Sequence, residues 1–529
     1  MGTSDSFPDD DVGNAAVSGE PAQEAVFALL ADPATHGGEP VLRCDTHASA
    51  VFLASRRAYK VKRAVQFPFL DYSTLPKRKA ACEAELVINR QFAPRLYRQV
   101  IAITRESNGQ LAVGGKGEPV EWAVEMERFD ESRTLDHIAA RGAFDDTLPA
   151  KLAHMVTAMH QRAECTDPDP WLAALPRYIE QNTIALREAS DIFPAEAVSE
   201  LDRRSRDALA RIRPLLVSRG QRGLTRRGHG DLHLGNIVLL DGEPVPFDAI
   251  EFDPVMASGD ILYDLSFLLM DLIAHTLTPA ANVVLNGYFA ATHQIEDYDG
   301  LAALPLFMSI RAAVRAKVTA ARLSQNTGDK RNEIIQAAQR YFELARILIA
   351  PPSPSIVCVG GLSGTGKSIL ARSLAPLIHP LPGAIVLRSD VERKTWFGVD
   401  ETDRLPPEAY RPEISTTIYA MLCDKAARIA RAGHSVIVDA VFAKASERAA
   451  IEAVAREANV TFHGLFLEAD LATRIARISG RGPDASDANP SVARQQEGFE
   501  VGSLSWSIIN AAGSPADTLA RACDTLPEP

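Results

Sequence analysis

With 529 residues, 46% hydrophobic and 23% charged, the chain has the composition of a globular protein and is too long for a single core; at ~150 residues per domain, two to four domains are expected. Its 56 Lys and Arg against 68 Asp and Glu leave a net charge of -12, which argues against a protein that grips nucleic acid or an anionic membrane over its surface and leaves room for a cationic substrate. The six cysteines form no C-x-x-C pair, so neither a disulfide framework nor a zinc site is expected, and no apolar run reaches the ~18 residues of a membrane span; with no signal-peptide pattern at the start, the expected compartment is the cytoplasm.

Residues 1–20 are small, polar and acidic and are expected to form a disordered tail. A short helix is expected over 24–30, then strand-like segments at 41–44, 49–54 and 58–63. This opening resembles the start of a protein-kinase small lobe, which needs a strand lysine for the nucleotide phosphates and a helix carboxylate to orient it. Lys60 and Lys62 share a strand face by the two-residue period, so either could serve; Lys62 is favoured because Tyr59 and Val61 then form the opposite, core-facing side. The helix expected over 75–92 carries Glu83 and Glu85, with Glu85 favoured as the partner of the lysine. No G-x-G-x-x-G loop precedes Lys62; the turn from Thr46 to Ser49 is the expected substitute, with Ser49 and nearby amides reaching phosphate oxygens. A strand over 121–129 falls where a kinase hinge would hold adenine. The chain then turns helical, with Leu152, Met155, Val156 and Met159 as a core stripe.

The stretch from His229 to Asp253 carries a phosphoryl-transfer constellation: Asp231 to accept the proton of a substrate hydroxyl, then Asn236 and Asp248 for the metal. Residues 237–240 read as a short strand, Asp241-Gly242 as a hairpin turn and 245–247 as the return strand that delivers Asp248. The segment His229-Gly230-Asp231, His233 and Asn236 resembles the aminoglycoside phosphotransferase family; it departs from protein kinases in having Gly230 for Arg and Asp248-Ala249 for Asp-Phe-Gly. The resemblance implies Asp231 as catalytic base and Asn236 and Asp248 as magnesium ligands, with His229 and His233 ordering the loop. The apolar run over 261–275 reads as a buried helix capped by Asp260. Arg311, Arg315 and Lys317 on a later helix could face the cleft or solvent.

Prolines at 351, 352 and 354 mark a linker over 348–355. An apolar strand at 356–359 then feeds Gly361, Ser363, Gly364, Thr365, Gly366, Lys367 and Ser368, a complete G-x-x-x-x-G-K-S loop opening a helix. Its amides and Lys367 suit nucleotide phosphates, and Ser368 suits magnesium. Further strands are expected at 384–387, 435–438 and 462–467, making a parallel sheet with crossover helices. This half resembles small P-loop kinases of the gluconate kinase and zeta toxin type. That likeness implies Asp390 with Arg393 at the acceptor, Asp439 at the second metal position, and Arg477 and Arg481 on a mobile lid that ends at Asp487.

The expected fold is therefore an α+β, two-lobed kinase-like domain over 21–347 followed by an α/β three-layer P-loop domain over 356–529. The expected activity is bifunctional: each half transfers the γ-phosphoryl group of ATP, with Mg2+, to a hydroxyl of a small molecule. The alternatives are a regulatory nucleotide-binding first half, and a second half that is an ATPase switch or a polynucleotide-end kinase.

Overall fold

A computed structural model describes residues 21–67, 70–292, 294–325, 327–482 and 484–526; the expected tail lies outside the described residues. The chain forms two compact units that are not consecutive segments. One comprises the residues up to Leu277 together with Leu306–Ile349, the other Thr278–Pro305 together with the residues from Ala350 onward.

The first unit begins with helix α1 (Pro21–Ala31) and strands β1 (Leu42–Asp45), β2 (Ser49–Leu53) and β3 (Arg57–Lys62). Helix α2 (Leu75–Phe92) and strands β4 (Tyr97–Arg105), β5 (Leu111–Val113) and β6 (Glu118–Glu127) follow. The strands make one antiparallel sheet in the order β1-β2-β3-β6-β4-β5. Strand alternation gives this sheet two buried faces. Ala50, Phe52 and Val61 pack with Val26, Phe27 and Leu30 of α1, whereas Val51, Leu53 and Ala58 pack with Cys82 of α2. Lys60 and Lys62 share the face of Ala58, so the strand period itself aims both ammonium groups at α2.

The helical part follows with α3 (Leu148–Arg162), α4 (Pro168–Glu188) and α5 (Ala195–Gln221), then the hairpin β7 (Ile237–Leu240) and β8 (Glu243–Pro246) and helix α6 (Ile261–Ala274). The hairpin turn has φ of 51° at Asp241 and 82° at Gly242, the left-handed pair that matches the twist of a two-residue connection. After α7 (Thr278–Ala290), which belongs to the other unit, α8 (Leu304–Ala321) and α9 (Gly328–Ile349) complete this one. Trp171, Tyr263 and Phe307 form an aromatic cluster that fixes α4, α6 and α8 together, with ring centroids 5.2–5.9 Å apart.

The second unit is a five-stranded parallel sheet of β9 (Ser355–Gly361), β10 (Ile385–Arg388), β11 (Val436–Asp439), β12 (Thr461–Glu468) and β13 (Ser507–Asn510), ordered β10-β11-β9-β12-β13. Helices α10 (Lys367–Leu374), α11 (Ser389–Phe397), α12 (Pro412–Arg431), α13 (Ala445–Ala458), α14 (Leu471–Ser479) and α15 (Pro515–Cys523) provide the crossovers and cover. The sequence pattern showed four of these strands. It did not show β13, an edge strand whose Ile508 is exposed, because such a strand has no continuous apolar run to read.

The opposite edge strand, β10, is closed by α7. Asn286 accepts from the Val386 N–H at 2.7 Å and donates to the Ala384 carbonyl at 3.1 Å, so one side-chain amide mimics the next strand. Asn282 also donates to Ala384 O, at 3.0 Å. The unit defined by packing thus includes residues 278–305, inside the span that a linear division at the proline-rich linker assigns to the first half. Among the described residues no helix is long and apolar enough to cross a membrane. Asn286→Ala should destabilise the second unit by about 1–3 kcal/mol, because it leaves a β10 donor without its acceptor; urea denaturation followed by Trp506 fluorescence would measure this.

Candidate active sites

The first site is built on a largely irregular buried loop, residues 228–236, that leads into the hairpin, and its backbone donors need acceptors. Helix α6 supplies them. Asp264 accepts from the N–H groups of His229 at 3.0 Å and Gly230 at 2.9 Å, and Asp271, seven residues on and on the same face, accepts from Leu234 N–H at 2.9 Å. His160 meets Asp264 at 3.2 Å, and the Tyr341 hydroxyl donates to Asp271 at 3.2 Å. Although burial alone would raise it, these donors hold the Asp264 carboxyl down to about 2.

Asp231, 1% exposed, sits between the two anchors. Its carboxylate accepts from Asn236 Nδ2 at 2.8 Å, and His233 Nε2 lies 3.5 Å away. Burial pushes its pKa up, but His233, His229 and Arg315 together outweigh burial and hold it well below the usual carboxylate range. His229 meets Phe247 O through Nε2 at 2.9 Å and accepts from Asp231 N–H at Nδ1, while His233 Nδ1 accepts from Gly235 N–H. Both histidines therefore order the loop, as the sequence reading expected.

Asn236 and Asp248 flank the hairpin, tied by Phe247 N–H to Asn236 O at 2.9 Å. Because Asn236 Nδ2 faces Asp231, its Oδ1 is buried with no hydrogen-bond partner, an acceptor that a bound cation would satisfy. Asp248 has φ of 61°, and its N–H donates to Tyr97 Oη. Asn89 of α2 clamps the next residue, accepting from Ala249 N–H at 2.7 Å and donating to Ala249 O at 3.3 Å.

One helical turn before Asn89, Glu85 is fully buried and bridges both lysines, 2.9 Å from Lys60 and 2.6 Å from Lys62. Lys60 also reaches Asp248 at 2.7 Å, and Lys62 reaches Glu251 at 2.5 Å. The lysines hold Glu85 down to about 2 against its burial. The sequence favoured Lys62, yet it is Lys60 that touches the expected metal carboxylate. Glu83, the other candidate for the lysine's partner, is exposed beside Lys79. Ser49 is buried opposite Lys62 in the β2–β3 register, and its backbone closes the turn with Thr46.

Arg311 and Lys317 are buried, and Arg315 is half-buried. Arg315 stacks on Tyr341 and helps stabilise Asp231 and Asp271; Arg311 and Lys317 line a small cavity of 50 Å³ beside Asp231.

The second site lines a cavity of 1020 Å³ at the C-terminal end of the sheet, where ligands of parallel α/β folds bind. Gly361, Gly364 and Gly366 adopt positive φ, and a Cβ at Gly364 would lie 2.6 Å from Arg474 O. The loop is braced by charge: Arg474 donates to Ser363 O at 2.9 Å, Arg477 to Thr365 O at 3.2 Å, and Gln496 accepts from Ser363 N–H. Lys367 donates to Leu362 O at 3.3 Å; burial lowers its pKa despite Asp439 and Asp390, so the site favours an added anion.

Ser368 donates to Asp439 at 2.6 Å, a hydroxyl–carboxylate pair suited to an oxygen-preferring cation. Arg388, which the sequence reading gave no role, covers that pair: it lies 3.1 Å from Ser368 Oγ, 3.4 Å from Asp439 and 2.9 Å from Asp484. Among the described residues no group of three or more His, Cys, Asp or Glu side chains could hold a metal ion.

Asp390 lines the same cavity, and burial, reinforced by Asp439, raises its pKa. Arg393 also lines it, but its guanidinium donates to Ala409 O and Ser415 and lies over Tyr410. Arg481 donates to the carbonyls of Ser486 and Ala488. The segment expected as a lid is tied down here, with Asp487 accepting from Lys394 at 2.9 Å and from Tyr410 at 2.5 Å.

Two family models match separate parts of the chain. Residues 82–304 match the phosphotransferase enzyme family model, and residues 356–500 match an AAA domain model. Uncharacterized proteins of Mycobacterium tuberculosis and Mycobacterium bovis are each 28% identical over 459 residues, covering 85% of this chain and 88% of theirs. A choline/ethanolamine kinase family protein from Mesorhizobium loti covers 61% of this chain and 99% of its own at 13% identity and a TM-score of 0.35. The APS kinase of Mycobacterium tuberculosis covers 33% and 98% at 23% identity and a TM-score of 0.26. A gluconokinase from Sinorhizobium meliloti covers 32% and 89% at 19% identity and a TM-score of 0.23. The matched domains are of kinase type, which supports ATP-dependent phosphoryl transfer.

Removing the anchor tests the loop's construction. Asp264→Ala should cost about 1–3 kcal/mol for each backbone donor left without an acceptor. It should also lower transfer at the first site at least about tenfold by displacing Asp231, as read from thermal melts and acceptor-dependent ADP release.

Proposed function

We propose that the chain is a bifunctional kinase, in which a phosphotransferase-family unit and a P-loop unit each move the γ-phosphoryl group of ATP to an alcohol of a small molecule. The observation that carries the reading is Asp231: a buried, ionised carboxylate, held by Asn236 and an anchored loop, beside a small cavity. A carboxylate so placed accepts the proton as the acceptor oxygen attacks phosphorus, while its depressed pKa keeps it deprotonated at working pH. Lys60, oriented by Glu85, is the phosphate lysine, supported by its contact with Asp248; Lys62 neutralises Glu85 and Glu251. Asn236 and Asp248 would hold Mg2+, which would draw charge from the transferring group.

In the second unit the glycine-loop amides and Lys367 hold the phosphates, Ser368 and Asp439 would hold the cation, and Asp390 accepts the acceptor proton. Arg477 and Arg481 neutralise charge that develops on the phosphoryl group, and Arg393 orients α12 at the acceptor end. Asp390 being raised and Asp231 depressed, the two bases separate by pH. A base works deprotonated, so transfer at the second site should fall first as pH drops, while the first site keeps its rate to lower pH. Assays of Lys367→Ala and Asp231→Asn proteins across pH would isolate each limb, and coincident acid limbs would contradict the assignment.

The decisive experiment replaces each base in turn. Asp231→Asn should lower transfer at the first site about a hundredfold or more with ATP affinity kept within a few-fold, and Asp390→Asn should do the same at the second. Normal transfer by both variants would refute these base assignments, and only slow ATP hydrolysis with every acceptor would refute the bifunctional reading.

A further inference from the structure

The cavity beside Asp231 has an unusual lining for a chain of net charge -12. Its ionisable members are Asp231, Arg311 and Lys317, with Tyr178 and Tyr263. Helix α8 presents Arg311, Val314 and Lys317 at i, i+3 and i+6, along one side of the helix. Arg311 is 6% exposed, its guanidinium carbon 3.9 Å from the Tyr263 ring centroid and 4.7 Å from that of Phe267. Stacking on ring faces supports the charge but leaves the in-plane donors to find acceptors. Its Nε–H is buried with no hydrogen-bond partner.

Asp231 is engaged by Asn236 and His233, and Asp253, on the Tyr178 side, caps Val255 and Met256 N–H. Arg315, the third cation of α8, is turned to Tyr341 and Asp271. A buried guanidinium with an unmet donor and a second cation on the same wall recognise an anion, whereas a cationic acceptor would meet two like charges across a desolvated space.

We infer that the acceptor of the first unit is a small alcohol that also carries an anionic group, a carboxylate or a phosphate, seated on Arg311 and Lys317 with its hydroxyl at Asp231. This rests on the reading of Asp231 as the base. The acceptor oxygen bonds to the γ-phosphorus as the bond to the bridging oxygen of ADP breaks, and the hydroxyl proton passes to Asp231 and then to water. The room that net charge leaves for a cationic substrate does not extend to this site on this inference, because net charge describes the surface and this cavity is lined from within.

The test uses the full chain carrying Lys367→Ala, which silences the second unit. Acceptor-dependent ADP release is measured with glycerate and gluconate as carboxylates, glycerol phosphate as the phosphate arm, glycerol as the neutral control, and choline, ethanolamine and kanamycin as cations. Thermal stabilisation by the same compounds gives a binding readout independent of turnover. Transfer to anionic alcohols is expected, with the better arm identifying carboxylate or phosphate. Arg311→Gln should raise the acceptor KM roughly ten- to a hundredfold, the scale of a buried charge-assisted hydrogen bond, with little change in the KM for ATP. Arg311→Lys should recover part of the loss, and Lys317→Gln should shift the KM in the same direction, which covers the case of a misfolded Arg311 variant. Asp231-dependent transfer to cationic or neutral alcohols that is unaffected by Arg311→Gln would overturn the inference and leave the kinase reading standing. Arg311-dependent stabilisation by anions without any transfer would sustain the anion site and defeat the kinase reading, and absence of both would defeat both.

Discussion

Buried carboxylates that accept backbone N–H groups are the constraint on which the first unit depends. The loop carrying Asp231 belongs to no sheet or helix, so its donors must find acceptors inside the protein or cost free energy. Asp264 and Asp271 provide them from two levels of α6. That helix is in turn fixed at its start, where Asp260 both caps Leu262 N–H and makes a two-point buried pair with Arg219. The position of Asp231 is thus inherited from carboxylates on a neighbouring helix.

The sheet side of the same unit solves a different problem. Two lysines on one strand face, buried under α2, need compensating charge, and the alternating series Glu251, Lys62, Glu85, Lys60, Asp248 supplies it. An alternating chain in a low-dielectric interior stabilises each of its three inner members through two neighbours, and removing Lys62 or Lys60 strands the end carboxylate beside it. Helix α2 enters twice, through Glu85 to the lysines and through Asn89 to the residue after Asp248, so its placement sets Lys60, Lys62 and Asp248 together.

In the second unit, arginines brace the structure as much as they offer chemistry. Arg474 is fully buried under the glycine loop, and Arg388 holds Ser368, Asp439 and Asp484 in one cluster. Guanidinium groups suit this use because their planar forks satisfy several carbonyl and carboxylate oxygens at once. The edge of the sheet is completed by the amide of Asn286, on a helix that precedes the glycine loop by some distance in the chain.

Local pattern made much of this legible. The period of two placed Lys60 and Lys62 on one face, Asp241-Gly242 forecast the hairpin, and Gly361 to Ser368 forecast the loop and the helix after it. These features depend on neighbours within a few residues, whose stereochemistry the sequence states directly. Other features join residues far apart in the chain: Lys60 to Asp248, Asp264 to His229, Asn286 to Val386, and the gathering of Arg311 and Lys317 around Asp231. Whether Lys60 or Lys62 meets Asp248, and whether Arg311 faces water or a cavity, cannot be stated by a period shared by both alternatives. The tertiary structure decided them, because burial removes water as a competing partner, and each buried charge or donor is then defined by whichever distant group the fold brings within hydrogen-bonding reach.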